Sequence, residues 1–313
     1  MLASQIALSF QDLKISKAVT QDMARHASTT SADTAPSEGD PNISRPMNVT
    51  ASFSEPAINP TLTEPPTATF LRQSTAPQDA TLYPGGSRSL SGIALHAFSL
   101  GLALASSLLL TILFLHQQNP LWRLPSFIAI LSIFHFLEFY TTARYNLPSA
   151  RLSSFLLFSN GRAYNVAHTC AMLEIVLVCT FRPSWLSLIP APWSRTLGLG
   201  LVLMGQGIRT LAMAQAGTNF NHIPAKQHRE GHELVTRGVY GWLRHPSYFG
   251  FFWWAIGTEL LVGNAVCGVA YVLVLWRFFS DRIRGEEEHL VQFFGEQYVD
   301  FRKRTGVGIP FIR

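Results

Sequence analysis

The sequence predicts an all-α protein: a polytopic membrane helical bundle of about six spans, ending in a helical hairpin. Three observations predict it. Charged residues make up 14% of the 313, against about 25% in a soluble globular chain. Apolar blocks approaching the roughly 20 residues a bilayer-crossing helix needs recur from Leu90 onward. Lysine and arginine gather in alternate connections, as the positive-inside rule requires of a multi-pass chain.

Residues 1–88 form a region of their own. They are rich in Ser, Thr, Pro and Ala, with no apolar run long enough for a core, and read as a disordered N-terminal tail. "LASQIALSF" is apolar, but no basic residue precedes it and no convincing small-residue cleavage site follows, so it does not read as a cleaved signal. Asn42 and Asn48 lie in N-x-S/T sequons, which matter only on a lumenal tail.

Four transmembrane helices are expected in region 89–214: "SGIALHAFSLGLALASSLLLTILFL" (91–115), "LPSFIAILSIFHFLEFYTTA" (124–143), "NVAHTCAMLEIVLVCTF" (165–181) and "RTLGLGLVLMGQGIRTLAMA" (195–214). The second carries His135 and Glu138, the third Glu174. Region 215–313 holds a polar loop, two shorter apolar runs (247–262 and 264–279) and a polar C-terminal helix. Only Gly263 and Asn264 separate the two runs, which is turn chemistry and makes them a hairpin. The basic connections are 144–164, 215–250 and the segment from Arg277. Six spans place them and both termini on the cytosolic side. Cys170, Cys179 and Cys267 lie in apolar runs without C-x-x-C spacing and read as buried free thiols, and no metal site is expected.

Two polar islands carry the chemistry. In "GTNFNHIPAKQHREGHELVTRGVYGWLRHPSY" (217–248), four histidines stand among basic and aromatic residues. The plain alternative is a basic loop against lipid headgroups. Pro246 argues further: proline is favoured at the first helical position, so "RHPSY" reads as a helix start, whose free N–H groups beside Arg244 and His245 suit an anion. In the second island, "WRFFSDRIRGEEEHLVQFFGEQYVDFRKRTGVGIPFIR" (276–313), Arg282 and Glu286 share a helix face. They are either an ordinary surface pair or a guanidinium fork for a substrate carboxylate, held in place by Glu286. Glu287 and Glu288 read as solvated, and Val291, Phe293, Phe294, Tyr298 and Phe301 as one face of an amphipathic helix.

These islands resemble the isoprenylcysteine carboxyl methyltransferases, of the fungal type. The matching words are "GTNFNH", "HELVTRGVYGWLRHPSYFGFFWWAIGTELLVGN", "LWRFFSDRIRGEEEHLVQFFGEQYVDFRKR" and "GVGIPFI". A looser likeness covers "IFHFLEFYTTARYN" and "SFLLFSNGRAYNVAH", and none covers 1–88. The resemblance implies a multi-pass endoplasmic-reticulum enzyme with a cytosolic cofactor-binding region. It would transfer methyl from S-adenosylmethionine to the C-terminal carboxylate of a prenylcysteine in CaaX-processed proteins, such as Ras- and Rho-type GTPases and a lipopeptide pheromone. It implies cofactor binding by His232, Glu233, Leu234, Val235, Tyr240, His245, Pro246, Ser247 and Tyr248, and substrate binding by Arg282 and Glu286. A further family contact falls near Ala225, where "IPAKQH" offers backbone, Lys226 or Gln227. Membrane lipid is an expected partner and nucleic acid is not.

That chemistry needs no general base. An α-carboxyl with a pKa of about 3.5 is already ionised at neutral pH, and a sulfonium methyl is already activated. The protein must align the two and exclude water. The rival readings are a phospholipid N-methyltransferase, an NADPH-dependent sterol reductase and a non-catalytic membrane adaptor.

Overall fold

The computed structural model describes residues 79–181, 191–223, 227 and 231–313. The tail expectations for 1–78, both sequons included, lie outside the described residues, as do Ala225 and Lys226. The α-helices of the described residues are α1 (Leu90–His116), α2 (Arg123–Tyr145), α3 (Arg162–Phe181), α4 (Ala191–Ala216), α5 (Pro246–Val262), α6 (Val266–Phe294) and α7 (Glu296–Arg304). Short 3₁₀ turns join them, and the described residues hold no strand beyond one isolated bridge, Leu243 to Gly306.

Among the described residues, four helical stretches are long and apolar enough to cross a membrane: Leu90–His116, Pro120–Tyr145, Arg162–Phe181 and Pro192–Asn219. The chain is an integral membrane protein built of helices, because only helices and closed barrels satisfy backbone groups in lipid. α1 buries only Leu100 and Ser107 and leaves residues such as Phe98 and Ile112 facing outward, as suits a lipid-facing span. The expected hairpin is present: α5 ends at Gly263 (φ +76), and α6 begins three residues later. α5, with 17 residues, is about 25 Å long, short of a roughly 30 Å hydrocarbon layer.

Among apolar helices in lipid, close backbone packing replaces the hydrophobic drive. α4 and α5 show how. A Cβ on Gly205 would lie 2.5 Å from the Gly250 carbonyl oxygen, and one on Gly257 2.8 Å from that of Gly198. Glycines seven residues apart on each helix thus bring two backbones into contact. Gly250→Val is expected to separate them and cost about 1–3 kcal/mol or more, read as a lowered unfolding midpoint in detergent. An unchanged midpoint would show that the seam gives way freely.

Two features differ from expectation. α6 does not end with the apolar run near 279 but continues to Phe294, so the hairpin arm and the polar island are one 29-residue helix. The amphipathic face then breaks at Gly295 (φ +54), and α7 carries the buried Tyr298 and Phe301. Of the cysteines, Cys179 is buried, whereas Cys170 and Cys267 are half-buried. Glu174, on α3, accepts from the N–H groups of Val266 (2.9 Å) and Cys267 (2.6 Å), which caps α6 from a neighbouring helix.

The tail beyond α7 packs back on the hairpin. Val307 and Ile309 are buried against Phe252, Phe279 and Ile283. The indoles of Trp253 and Trp276 donate to the carbonyls of Gly308 (3.3 Å) and Pro310 (2.9 Å). The "GVGIPFI" word is therefore a structural strap across α5 and α6.

Candidate active site

Pro246 opens α5 at its first turn, as its fixed φ favours. The helix start is less open to an anion than expected. The N–H groups of Tyr248 and Phe249 both donate to the His245 carbonyl at 3.1 Å, and Pro246 has none. What the start does instead is present side chains. His245 and Tyr248 stack with centroids 5.5 Å apart and planes 10° from parallel.

A cavity of about 710 Å³, counting space continuous with solvent, opens beside them. All the residues assigned to the cofactor, His232, Glu233, Leu234, Val235, Tyr240, His245, Pro246, Ser247 and Tyr248, line it, together with Glu286. The backbone N–H of Glu233 is held by the Asn219 side chain at 3.0 Å, which anchors the HELV segment over the cavity. The Tyr240 hydroxyl donates to the Ala212 carbonyl at 3.2 Å, and burial first, then the Glu286 charge, pushes its pKa up. It acts only as a neutral donor.

Arg282 is not among the cavity's lining residues, and the direct Arg282–Glu286 pair expected from i,i+4 spacing does not form. Tyr248 stands between them. Its hydroxyl donates to Glu286 Oε2 at 2.6 Å and accepts from Arg282 Nε at 3.0 Å. A second donor, Nη2, meets the His222 carbonyl. The guanidinium also lies 5.4 Å from the Tyr248 ring centroid and 5.6 Å from that of Phe278. Among the described residues Nη1 has no hydrogen-bond partner, which leaves it for a ligand.

Glu287 corrects the expectation of a solvated residue. It is 7% exposed, and its Oε1 accepts from Arg244 Nε at 2.5 Å and lies 3.2 Å from His245 Nε2. Arg244 also donates to the Thr305 carbonyl at 2.8 Å, so Glu287 ties the α5 start to α6 and the C-terminal strap. Burial alone would raise its pKa, but hydrogen bonds from His245 and Arg244, with their charges, hold it at about 2 against an ordinary 4.5. A carboxyl below its unfolded value favours the folded state above pH 4.5, and that contribution fades as pH falls toward 2. The unfolding midpoint is therefore expected to be insensitive to this group from pH 7 to 5 and to drop below 4.5. Glu287→Gln should remove that part of the acid dependence.

Arg209 went unnoticed in the sequence. It is 7% exposed on α4 and pairs through Nε and Nη2 with Glu138 on α2, itself 1% exposed. Its Nη1 donates to Ser247 Oγ at 2.8 Å. Opposite charges inside two predicted spans were the available signal, since intramembrane charges pair.

These features define a class: a membrane-embedded helical enzyme in which a solvent-facing cavity and a partly buried arginine share one tyrosine. The model of the isoprenylcysteine carboxyl methyltransferase family matches residues 198–292. The Saccharomyces cerevisiae protein-S-isoprenylcysteine O-methyltransferase is 48% identical over 189 residues, 59% of this chain and 79% of the relative. The Homo sapiens protein of the same name is 41% identical over 221 residues, 71% and 75% of the two chains. A solved structure of the eukaryotic intramembrane Ras methyltransferase superposes with a TM-score of 0.65 at 36% identity, covering 71% of this chain and 77% of that one. The chain belongs to the isoprenylcysteine carboxyl methyltransferase family.

Proposed function

We infer that this chain is a protein-S-isoprenylcysteine O-methyltransferase: it methylates the C-terminal carboxylate of prenylated cysteine. The observation that carries the reading is the Tyr248 hydroxyl, which joins Glu286 on the cavity wall to Arg282 beyond it. We propose S-adenosylmethionine as the methyl donor. The cavity suits a cationic nucleoside ligand in its two carboxylates, Glu233 and Glu286, and in the apolar Leu234 and Val235. When bound, that cofactor supplies a methyl group on a positively charged sulfur that leaves as a neutral thioether. Glu233, Tyr240 and the 245–248 segment hold it. Arg282 Nη1 receives the substrate carboxylate, fixing one oxygen toward the cavity. Tyr248, which lines the cavity and also holds Arg282, borders the gap in which the carboxylate oxygen meets the sulfonium methyl directly, and its stacked ring helps to keep water out of it. No residue has a proton to move, because a carboxylate oxygen forms the new bond and the ester product is neutral.

The prenyl chain enters from the bilayer side, among the apolar helices. We assign the physiological substrates to CaaX-processed proteins of the Ras and Rho type and lipopeptide pheromones. The location is the endoplasmic-reticulum membrane, with both termini cytosolic; the alternation of Lys and Arg between connections supports that orientation. Regions 1–88, 89–214 and 215–313 serve as tail, membrane anchor and catalytic region. Acceptor choice tests the reading. Membranes given labelled S-adenosylmethionine should methylate N-acetyl-S-farnesylcysteine and leave phosphatidylethanolamine unlabelled. Label in the phospholipid would favour the N-methyltransferase rival, and binding of NADPH in its place the reductase.

A further inference from the structure

The buried pair Glu138–Arg209 does more than join two spans. Both Glu138 oxygens are engaged: Oε1 accepts from Arg209 Nε, while Oε2 accepts from Arg209 Nη2 at 2.8 Å and His222 Nε2 at 2.9 Å. From this carboxylate two arms lead to one place. Arg209 Nη1 grips Ser247, through its carbonyl at 3.2 Å and its hydroxyl at 2.8 Å, and the next residue is Tyr248. His222, held by its ring, turns its own carbonyl onto Arg282 Nη2. The Tyr248 hydroxyl and the His222 carbonyl are the hydrogen-bond acceptors of Arg282 among the described residues.

We propose that Glu138 and His222 are positioning residues for Arg282: a carboxylate in α2 sets, through Arg209 and His222, the two acceptors that aim the guanidinium at the substrate. This rests on the reading of Arg282 as the substrate-carboxylate ligand. Three features favour it over a simple staple between spans. A buried charge in a bundle is costly unless paired, and a pair alone would need only Arg209. Here a third group, from the loop, is recruited to the same carboxylate. That loop residue then contacts Arg282 through its backbone carbonyl. The His222 side chain is also 21% exposed, so its imidazole is not required to fill the core.

The test uses the full chain in membranes and reads kcat and KM for N-acetyl-S-farnesylcysteine together with the Kd for S-adenosylmethionine. His222→Ala should lower kcat/KM for the prenylcysteine about tenfold, the effect of one charge-assisted hydrogen bond, with the cofactor Kd unchanged. His222→Gln, which keeps a donor for Glu138, should restore most of it. In an Arg282→Lys background His222→Ala should cost nothing further, because the two act on one contact. Glu138→Gln should lower kcat/KM at least as much and likewise cost nothing further in the Arg282→Lys background, but because its Arg209 arm also holds Ser247 it should weaken the cofactor Kd as well; if it does not fold, the His222 series decides alone. Independent, additive losses, or a weakened cofactor Kd in the His222 variants, would overturn the proposal and leave the cluster a structural staple. A sensitive Arg282 with a silent His222 would defeat the positioning role only. A silent Arg282→Lys would defeat both it and the substrate-site reading beneath it.

Discussion

Arg282→Lys is expected to lower kcat/KM for prenylcysteine by about 10- to 150-fold while cofactor affinity stays near that of the unmodified protein. The reason is geometric. The guanidinium holds the Tyr248 hydroxyl with Nε and the His222 carbonyl with Nη2, and still presents Nη1. An ammonium keeps the charge but is a single point on a flexible stem. It can satisfy one of those positions, and the carboxylate then loses a charge-assisted hydrogen bond worth about 1.5–3 kcal/mol. Were Arg282 an ordinary exposed partner of Glu286, lysine would serve as well, and the change would cost about 0.3–0.5 kcal/mol, or roughly a twofold loss of activity. Steady-state kinetics in membranes, beside equilibrium cofactor binding, separates the two outcomes.

Glu287→Ala should have the largest effect on stability. It removes the carboxylate that Arg244 and His245 share and leaves Arg244, 7% exposed, with the Thr305 carbonyl as its one remaining hydrogen-bond partner among the described residues. Breaking a buried ion pair from one side costs about 3–5 kcal/mol, because the remaining charge stays desolvated. The α5 start, α6 and the C-terminal strap meet at this point, so the cofactor cavity should loosen as well. The expected result is a markedly lower unfolding midpoint in detergent and weakened cofactor binding in the protein that remains. A midpoint equal to that of the unmodified chain would show that Arg244 finds water, and that the network is peripheral.

The all-helical membrane fold was legible because lipid leaves the backbone few options and because the apolar blocks are long. The turn at Gly263 and the Pro246 helix start were also legible, since each rests on local backbone chemistry. Glu286, Glu287 and Glu288 were not separable. They step about 100° apart around one helix, and which of them faces inward depends on how α6 is rotated against α5. No local rule supplies that angle. The Arg282–Glu286 spacing suggested a direct pair, but Tyr248, 34 residues earlier than Arg282, occupies the space between them. Arg209 shows a different failure: one charge inside an apolar run is easily read as a tolerated exception, although Glu138 in a second span was its counterpart. The seven-residue period of the glycines at 198, 205, 250 and 257 was a further signal, unread in the sequence, for the α4–α5 seam that the structure shows.

The account stands on the α-carboxylate as the group that takes the methyl, and a matched pair of prenylated peptides tests that directly. One ends in S-farnesylcysteine with a free carboxylate, and the other carries the same cysteine as its C-terminal amide. Both are offered to membranes containing the chain and labelled S-adenosylmethionine. The account predicts label on the free-acid peptide alone, released by mild base as methanol. Equal labelling of the amide, or label that resists base, would contradict it.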